Sequence, residues 1–336
     1  MDHSDGVPNR TPTLKIVAVR AGVSYQTVSR VLNGDPRVAA VTRAKVEEAV
    51  EALDYHPNSA ARDLVRGYTS TVGILAEDPH QFGTASTVRG IEAAAAASGW
   101  ATVVASQRRG AVQDVDGAMA SLQQRGARAI ALIGVTEPVA RRAFEVQRAV
   151  PLIAASQGAI DLGRRAVAVD QDTGVRSAVE HLIAQGRTRI AHISGPGDSL
   201  DALRRIGAYE REVAGHGLPG LVLSGDWTAQ GGYLAGQALA DRSDVDAIFC
   251  ANDQTALGLL AALNEASVSV PQRIAVVGFD DIPEAGYLIP PLTTVAQDFA
   301  ELGAAVLEVM RRAADTGNVP EEDTLLTPRL VVRSTT

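Results

Sequence analysis

Residues 24–33 read SYQTVSRVLN, and this stretch decides how the amino-terminal part of the chain is organised. Three apolar residues recur at helical spacing and give the segment one narrow apolar stripe: Val28, Val31 and Leu32. The other side of the same helix carries hydrogen-bonding groups near its amino-terminal end: Tyr25, Gln26, Ser29 and Arg30. A helix with so small an apolar face buries little, so we expect its polar side to contact something other than the protein core.

The segments on both sides of this helix are also predicted to be helical. LKIVAVRA at residues 14–21 has an apolar face, and a third helix is predicted from about Thr42 to Leu53. Gly22 lies where a tight reversal needs positive φ, and Ser24 is placed as the amino-terminal cap of the second helix. Helix, glycine-containing turn and helix form the helix-turn-helix pattern, whose second helix enters the major groove of DNA.

The charge of the chain supports this interpretation once its distribution is considered. The 336 residues carry a formal net charge of −8, which by itself argues against a nucleic acid partner. Residues 10–46, however, contain seven basic residues and one acidic residue, Asp35. Glutamine can pair with adenine and arginine with guanine, which makes Gln26 and Arg30 candidate base readers. The alternative is a solvated helix in a small protein-binding bundle.

Residues 58–69 follow the helical region, and we expect them to contain a conditional helix. Pro57 stops the third helix, and Asn58 or Ser59 can cap a new one. So short a helix does not persist alone in water, because nucleation costs more than its few hydrogen bonds return. Leu64 is unfavourable on a solvated short helix, so it is predicted to have an apolar partner.

After Ser70, short β-rich runs alternate with segments of helical period. The nine runs, among them TVGILAE, RIAHISG and RIAVVGF, are typical of strands in parallel sheets covered on both faces. The predicted fold class is an amino-terminal all-α helix-turn-helix domain followed by a two-lobed α/β domain with parallel sheets. The predicted limits are 1–57 for the helix-turn-helix domain, 58–69 for the connecting segment, and 70–336 for the two-lobed domain, with lobe 1 at about 70–169 and 298–327 and lobe 2 at about 170–297 and 328–336.

Several classes of protein are disfavoured by the sequence. The amino terminus has no signal pattern and no apolar run is long enough to span a bilayer, so we expect a cytoplasmic protein without a membrane partner. The single cysteine, Cys250, and His192 lie in predicted buried strands. Asp280 and Asp281 are adjacent and expected to point apart, and no His or Cys cluster joins them, so we expect no enzyme activity, metal or cofactor. ISGPGDS at residues 193–199 lacks the ending of a phosphate-binding loop and is predicted to be a turn.

Five sequence blocks, spread over almost the whole chain, resemble the LacI/GalR family of sugar-responsive bacterial transcriptional regulators. They are SYQTVSRVLN, HPNSAARDL (residues 56–64), GDWTAQGGY (225–233), ANDQTALG (251–258) and YLIPPLTTVAQDF (287–299). By this resemblance the base readers are Tyr25, Gln26 and Arg30, and the phosphate or nearby polar contacts are Ser24, Thr27, Ser29 and Asn33. The resemblance assigns Leu64 as an apolar wedge that opens a flexible step in the minor groove of the operator. The alternative is that Leu64 packs against its own body.

The resemblance also implies that the two-lobed domain is similar to a periplasmic sugar-binding protein. Its ligand, a small carbohydrate effector, would then lie between the lobes at the carboxyl ends of parallel strands. The residues implied to line this crevice are Asp201, Arg205, Trp227, Asn252, Asp280 and Gln297. Asparagine, aspartate and arginine suit sugar hydroxyls, and three aromatic residues are candidates to face the apolar side of a sugar ring: Trp227, Phe299 and Phe82.

Two positions in the implied crevice depart from the family pattern. Ser156 is nearest to the position where lac-type members carry an aspartate, and Gly134 replaces an asparagine. One half of the pocket is therefore lac-like and the other is not, so we expect a carbohydrate effector, with a galactoside as one candidate. Asp253 and Asp281 are each next to a crevice residue but are predicted to cap helices instead.

The function implied is that of a dimeric repressor of carbohydrate-utilisation genes. It would bind palindromic operator DNA, and the sugar would lower its affinity for that operator. The leucine-heptad tail with which lac-type members of the family form tetramers has no counterpart after RLVVRSTT, so we expect a dimer rather than a tetramer. The main alternative is a corepressor-dependent regulator of the same family that senses a purine or phosphosugar. An enzyme on a similar fold and a transport-type sugar binder are less consistent with the sequence.

Overall fold

The computed structural model describes residues 12–32, 35–55, 69–146 and 149–336. These residues fall into two units, one ending at Thr69 and one from Ser70 to Thr336. The predicted fold class is confirmed, because the first unit is helical and the second contains a four-stranded and a six-stranded sheet, both flanked by helices, together with a two-stranded sheet. The domain limits given above stay predictions, since part of the connecting segment lies outside the described residues.

The first unit contains three helices: α1 (Leu14–Ala21), α2 (Tyr25–Leu32) and α3 (Ala40–Ala52). Their apolar faces form one small core that includes Val17 of α1, Val28 and Val31 of α2, and Val46 and Ala49 of α3. The third helix begins two residues before the predicted Thr42, which is within the ordinary uncertainty of helix ends.

The turn between α1 and α2 has the predicted chemistry. Gly22 ends α1 with φ 65° and ψ 34°, a left-handed conformation that favours glycine. Ser24 caps α2, because its Oγ accepts a hydrogen bond from the backbone N–H of Thr27 at 3.1 Å. This cap fixes the amino-terminal end of α2.

The first lobe of the second unit is built on a parallel sheet. Its strands are β1 (Thr71–Glu77), β2 (Ala101–Gln107), β3 (Ile130–Ile133) and β4 (Leu152–Ala154), in the order β2-β1-β3-β4. Its helices are α4 (Phe82–Ala97), α5 (Val115–Gln124) and α6 (Glu137–Val146). Alternation along β1 builds two core layers, since Val72 and Ile74 belong to one cluster and Leu75 to the other.

The second lobe contains a six-stranded sheet. Its strands are β6 (Ile190–Ile193), β7 (Leu221–Leu223), β8 (Ala247–Cys250), β9 (Ala275–Asp280), β10 (Thr293–Ala296) and β12 (Arg329–Val331), in the order β12-β10-β9-β8-β6-β7. Every pairing is parallel except that of β12 with β10. The helices around it are α7 (Gln171–Ala184), α8 (Leu200–Gly215), α9 (Ala229–Leu239) and α10 (Asp253–Glu265).

Three segments pass between the lobes. The chain first leaves the first lobe after β5 (Val167–Val169) and enters α7. It returns after β10 through α11 (Phe299–Thr316), which packs into the core of the first lobe, and β11 (Thr324–Leu326) then pairs with β5. The last strand, β12, lies in the second sheet, so the final helix packs in the first lobe and the final strand in the second.

Two strands were missed in the sequence, β10 and β11. Both are short, and β10 follows two consecutive prolines that interrupt the pattern of alternating strands and helices. Three short 3₁₀ segments complete the described structure: Val112–Asp114, Gln157–Leu162 and Ala285–Tyr287. Within the described ranges, no helix combines the length and apolar character needed to cross a bilayer.

Candidate functional site

The exposed face of α2 carries the side chains that were predicted to read bases. Tyr25, Gln26 and Arg30 are exposed, with 51% of Tyr25 accessible, while Val28 and Val31 are buried beneath them. The helix therefore packs by its narrow apolar stripe and presents hydrogen-bonding groups outward.

The polar residues predicted to contact phosphates differ in their exposure and in the hydrogen bonds that their side chains already form. Ser24 is used as a cap and also shares a 2.8 Å hydrogen bond between its hydroxyl and that of Thr27. Thr27 and Ser29 are half-buried. Asn33 and Leu64, the remaining two predicted contacts, lie outside the described residues, as does most of the predicted conditional helix.

Part of the basic charge of the first unit is neutralised within the unit. Arg37 donates to both carboxylate oxygens of Asp35, at 2.9 and 2.8 Å, and Arg43 donates to the Asp35 carbonyl at 2.8 Å. The hydrogen bond from Arg37 lowers the pKa of Asp35 to about 2. The charge of Arg30 on α2 also lowers the pKa of Asp35, to a smaller extent, and the Arg30 side chain remains exposed.

A crevice of about 830 Å³ lies between the two lobes of the second unit. Its polar and aromatic walls come from the segments at and after the carboxyl ends of β1, β2, β3, β5, β6, β7, β8, β9 and β10, which is where ligands bind in open parallel sheets. Eight of the nine predicted effector residues line it: Phe82, Asp201, Arg205, Trp227, Asn252, Asp280, Gln297 and Phe299.

A chain of hydrogen bonds runs along the floor of the crevice. Arg205 Nε donates to Gln171 Oε1 at 2.7 Å, and Gln171 Nε2 donates to Gln297 Oε1 at 3.4 Å. Gln297 Nε2 in turn donates to Asp280 Oδ1 at 2.6 Å. This chain fixes the orientation of both glutamine amides, so the polar surface offered to a ligand is set before the ligand binds.

Arg205 is the buried cation of the crevice, with 5% of its surface accessible. Its guanidinium carbon lies 3.9 Å from the ring centre of Phe279 and 5.4 Å from that of Trp227, and its Nη1 donates to the Ala251 carbonyl. Burial lowers the pKa of Arg205, while the carboxylates of Asp280 and Asp201 oppose that change. Arg205 is therefore held on two aromatic faces and balanced by acidic side chains.

Asn252 lines the crevice, but its side chain is fully used within the protein. Its Oδ1 accepts from the backbone N–H and the hydroxyl of Thr255, which makes it the cap of α10. Its Nδ2 donates to the Trp227 carbonyl at 3.0 Å and to Gln254 Oε1 at 3.1 Å. An amide has two donors and two acceptor positions, so none remains for a ligand. The contribution of Asn252 is to hold Trp227, whose φ is 69°.

Asp253 and Asp281 do not cap helices, contrary to the sequence prediction. The cap of α10 is Asn252, and the Asp253 carboxylate instead accepts from the Ile282 N–H at 2.9 Å and the Thr294 hydroxyl at 2.6 Å. Asp281 pairs with Arg333 at 2.6 Å. The sequence rule failed because two neighbouring polar residues compete for the cap, and the residue that still has extended backbone takes it.

Two buried acidic residues of the second lobe, Asp253 and Asp280, have raised pKa values, which favours their neutral forms. Burial, reinforced by the charge of Asp280, raises the pKa of Asp253 to about 8. Burial raises the pKa of Asp280 to about 6, although Arg205 and Gln297 oppose the shift. Asp280 therefore changes charge near neutrality within the crevice.

Ser156 is the one predicted effector residue that does not line the crevice. Its hydroxyl donates to Asp201 Oδ1 at 2.7 Å and so joins the first lobe to the second. Burial raises the pKa of the Asp201 carboxyl, while Arg205 and Ser156 oppose the shift. Ser156 thus acts on the crevice through Asp201.

The first-lobe wall of the crevice combines aromatic and polar groups. The rings of Phe82 and Phe299 meet edge to face with centres 5.6 Å apart. Gly134 has φ 65°, and a Cβ added there would lie 2.2 Å from Thr84 Oγ1, so an asparagine does not fit without movement of Thr84. The departure from the family pattern at this position is therefore built into the local backbone.

Seven polar residues that line the crevice were missed in the sequence: Asp78, Gln81, Thr84, Thr87, Arg109, Gln171 and Ser199. Asp78 and Gln81 directly follow β1, so the rule used for the second-lobe strands, polar residues just after a strand, could have found them. Arg109 and Gln171 each lie two residues after the end of a strand, β2 and β5, so the same rule applies to them.

His192 and Cys250 are core residues, as predicted. The Nδ1 of His192 donates to the Phe249 carbonyl at 3.0 Å, and its ring stacks on Phe249 with centres 4.7 Å apart. Burial lowers the pKa of His192 to about 4. In the described part of the chain, one group has the spacing of cation ligands, at the surface rather than in the crevice: Glu180, Glu212 and His216.

The comparisons with known proteins agree with this architecture. Residues 13–58 match the family described as bacterial regulatory proteins of the lacI family, and residues 179–336 match a periplasmic binding protein-like domain. The chain is 33% identical over 326 residues to the ribose operon repressor of Escherichia coli K12, covering 96% of this chain and 98% of that protein.

Two solved structures are similar over nearly the full length. One is the lac repressor dimer bound to operator and the anti-inducer ONPF, with a TM-score of 0.84, 30% identity and coverage of 97% and 99% of the two chains. The other is the transcriptional regulator CelR in complex with cellobiose, with a TM-score of 0.71, 30% identity and coverage of 97% and 100%.

Proposed function

The chain belongs to the lacI family of bacterial regulatory proteins, and from that premise we propose that it is a repressor of carbohydrate-utilisation genes released from DNA by a neutral sugar. The relatives named above are transcriptional regulators, which supports a regulatory rather than an enzymatic role for this chain. The observation that carries the proposal is the crevice, where oriented polar groups and aromatic rings surround a buried guanidinium.

The chemistry of the crevice supports a polyhydroxylated ligand. Asp280, Asp201 and Gln171 supply acceptors, Arg205 supplies donors, and Trp227 supplies a flat apolar surface. A sugar has hydroxyls in its plane and C–H groups on its faces, so it matches fixed polar groups combined with an aromatic wall. The relatives named above bind different sugars or respond to different operons, so a galactoside is one candidate among mono- and disaccharides.

We propose that α2 reads the operator through its exposed face. Tyr25, Gln26 and Arg30 would contact base edges, and Ser24, Thr27 and Ser29 would contact the nearby backbone. Residues 58–69 would link the two units and transmit the signal, with sugar binding in the second unit lowering operator affinity by linkage.

We further propose a homodimer on a palindromic operator. The lac repressor structure named above is a dimer on its operator, and two-fold symmetry of a protein is matched by two-fold symmetry of its site. The second unit has two large apolar side chains that are almost fully exposed, Tyr287 at 88% and Ile289 at 92%, which suits an interface. Sedimentation of the wild-type chain and of Ile289→Asp measures the oligomeric state of each. A monomeric wild-type chain would contradict the proposed homodimer.

One experiment in two stages tests the proposed function. A thermal-shift screen of ribose, galactose, lactose and cellobiose first identifies a ligand, because a molecule that binds the folded state raises the melting temperature. Selection from a random duplex pool then identifies an operator, whose affinity is measured with and without the ligand. Arg211→Lys is the matched control for crevice variants, because Arg211 lies on the same helix as Arg205 and pairs with Asp172 within the second lobe. Failure to bind any duplex at low ionic strength would exclude a DNA-binding role.

A corepressor-dependent regulator that senses an anionic ligand is the second candidate. The observation that favours it is Arg109, a second guanidinium that lines the crevice besides Arg205. In the structure Arg109 is paired with Asp198, so its charge is already matched. A hexose phosphate that raises both the melting temperature and the operator affinity would favour this candidate over a neutral inducer.

A further inference from the structure

The two lobes touch through a set of contacts that is separate from the three crossing segments. Arg109 of the first lobe forms an ion pair with Asp198 of the second. The Asp198 carbonyl accepts a hydrogen bond from the Glu137 N–H at 2.8 Å, and Thr136 and Ser199 form an isolated antiparallel bridge. The ISGPGDS turn, which supplies Asp198 and Ser199, thus docks on two loops of the first lobe.

Both of these first-lobe loops are held by one buried carboxylate, that of Glu77. Glu77 ends β1 and is completely buried. Its Oε1 accepts from the Gly110 N–H at 2.5 Å, next to Arg109. Its Oε2 accepts from the Thr136 hydroxyl at 3.0 Å and from the Thr136 N–H. Glu77 forms no ion pair within the described ranges, so these three donors carry the solvation of its charge.

We propose that Glu77, Arg109 and Asp198 form an inter-lobe clasp at the crevice, which must open before a ligand enters or leaves. Glu77 is the positioning residue, because it fixes the two loops that carry the contacts to the second lobe. Arg109 and Asp198 are the releasable bond, because their side chains remain 34% and 46% accessible. The role of the clasp in ligand exchange depends on the proposed sugar-binding function, whereas its role in lobe closure does not.

The position of Arg109 connects the clasp to the crevice. Arg109 lines the crevice together with Ser199, the neighbour of Asp198, so opening the ion pair opens the wall of the binding site. A half-exposed ion pair is worth little alone, so we expect its loss to shift the open population by about two- to fivefold. We expect added salt to act in the same direction, since the pair is accessible to counter-ions.

Inter-lobe distances measured by double electron–electron resonance on the full ligand-free chain test the clasp. Spin labels are attached at Ala96→Cys in α4 and Ala261→Cys in α10, two exposed positions on different lobes, while the native Cys250 is buried. We expect a narrow distance distribution for the wild-type background. Arg109→Ala, Asp198→Ala and Glu77→Gln should each broaden it toward longer distances, by the population change stated above.

Two controls keep the result specific. A label pair at Ala96→Cys and Gln124→Cys, both in the first lobe, should be unaffected by all three substitutions, which separates lobe opening from loss of structure. The charge swap Arg109→Asp with Asp198→Arg should restore the narrow distribution, because it keeps the ion pair with its partners exchanged. Identical inter-lobe distributions in wild type and in the Arg109→Ala variant would overturn the clasp.

The effect on ligand exchange is measured separately, by stopped-flow fluorescence of Trp227 with the sugar found in the thermal-shift screen. We expect Arg109→Ala to raise the dissociation rate by about two- to fivefold and the charge swap to return it to the wild-type value. An unchanged dissociation rate beside changed distances would show that the lobes close by the clasp but that exchange does not pass through it. If no sugar binds at all, the proposed function fails, while the distance measurements still decide whether the clasp exists.

Discussion

Replacing Asp253 by asparagine should remove a large part of the pH dependence of stability in the second unit. Asp253 is completely buried, and its pKa is raised from 3.8 to about 8. In the unfolded chain the same carboxyl regains its ordinary pKa. Between these two values the folded protein holds a proton that the unfolded protein releases.

The sign and size of the effect follow from that difference. A folded-state pKa above the unfolded value gives stability that is complete below pH 3.8 and is lost as the pH rises toward 8. With one proton released on unfolding, the free energy of unfolding falls by about 1.4 kcal/mol per pH unit, or about 3 kcal/mol from pH 5 to pH 7. Asp280 adds a similar decrease in the free energy of unfolding at pH values below its own pKa of about 6. This contribution is the same in wild type and in Asp253→Asn.

Asparagine is a close structural substitute for the neutral acid at this position. Its Oδ1 can accept from the Ile282 N–H, and its Nδ2 can donate to the Thr294 hydroxyl, which replaces the proton of the neutral carboxyl. We therefore expect Asp253→Asn to be folded and to gain stability relative to wild type as the pH rises.

Urea unfolding at pH 5, 6, 7 and 8 measures the difference, followed by tryptophan fluorescence. Both tryptophans, Trp100 and Trp227, lie in the second unit, so the signal reports on that unit alone. Asp244→Asn is the matched control, because the hydrogen bond from the neighbouring Arg242 lowers the pKa of Asp244 and its titration lies outside this pH range. Parallel pH profiles for wild type and Asp253→Asn would refute the protonated, buried carboxyl.

The remaining predictions concern the two binding surfaces. Gln26→Ala should cost about 1–3 kcal/mol of discrimination at one operator base pair and leave sugar binding intact, as measured by operator variants and calorimetry. Ser24→Ala should lower the stability of the helical unit by about 1 kcal/mol, measured by thermal unfolding. Arg205→Lys should weaken sugar binding at least tenfold in calorimetry, because lysine lacks the guanidinium fork, whereas Arg211→Lys should not. Asp198→Asn should improve binding of a hexose phosphate relative to the parent hexose by freeing Arg109, and equal ratios in both proteins would contradict that.

The sequence predicted the elements well wherever local signals agreed with one another. The turn at Gly22 and the cap at Ser24 were found because each depends on one residue type at one position. The strands β10 and β11 were missed because prolines flank them, Pro290 and Pro291 before β10 and Pro328 after β11, and prolines are typical of loops. A strand of the same length without such neighbours, β5, was predicted.

The candidate site was predictable at strand ends and unpredictable where function depends on pairing. Asn252 after β8 and Asp280 at the end of β9 were recognised because parallel strands bring their carboxyl ends together. One of the four hydrogen bonds that saturate Asn252 is formed with Trp227, which is more than twenty residues away in the chain. The partner of Arg109, Asp198, is more distant still. Sequence spacing predicts which residue types lie at an edge of a sheet. It does not predict which of their hydrogen-bond donors and acceptors remain free for a ligand.

That distinction bears directly on the choice between a neutral and an anionic effector. The number of arginines that line the crevice, two, would by itself favour a ligand with a phosphate or carboxylate group. Each guanidinium, however, already has acidic neighbours, since Asp280 and Asp201 act on Arg205, and Asp198 pairs with Arg109. An anion would have to displace a carboxylate or be buried beside one, and either costs free energy that a neutral hydroxyl does not incur. The pairing of charges, rather than their number, therefore favours a neutral polyol in this crevice.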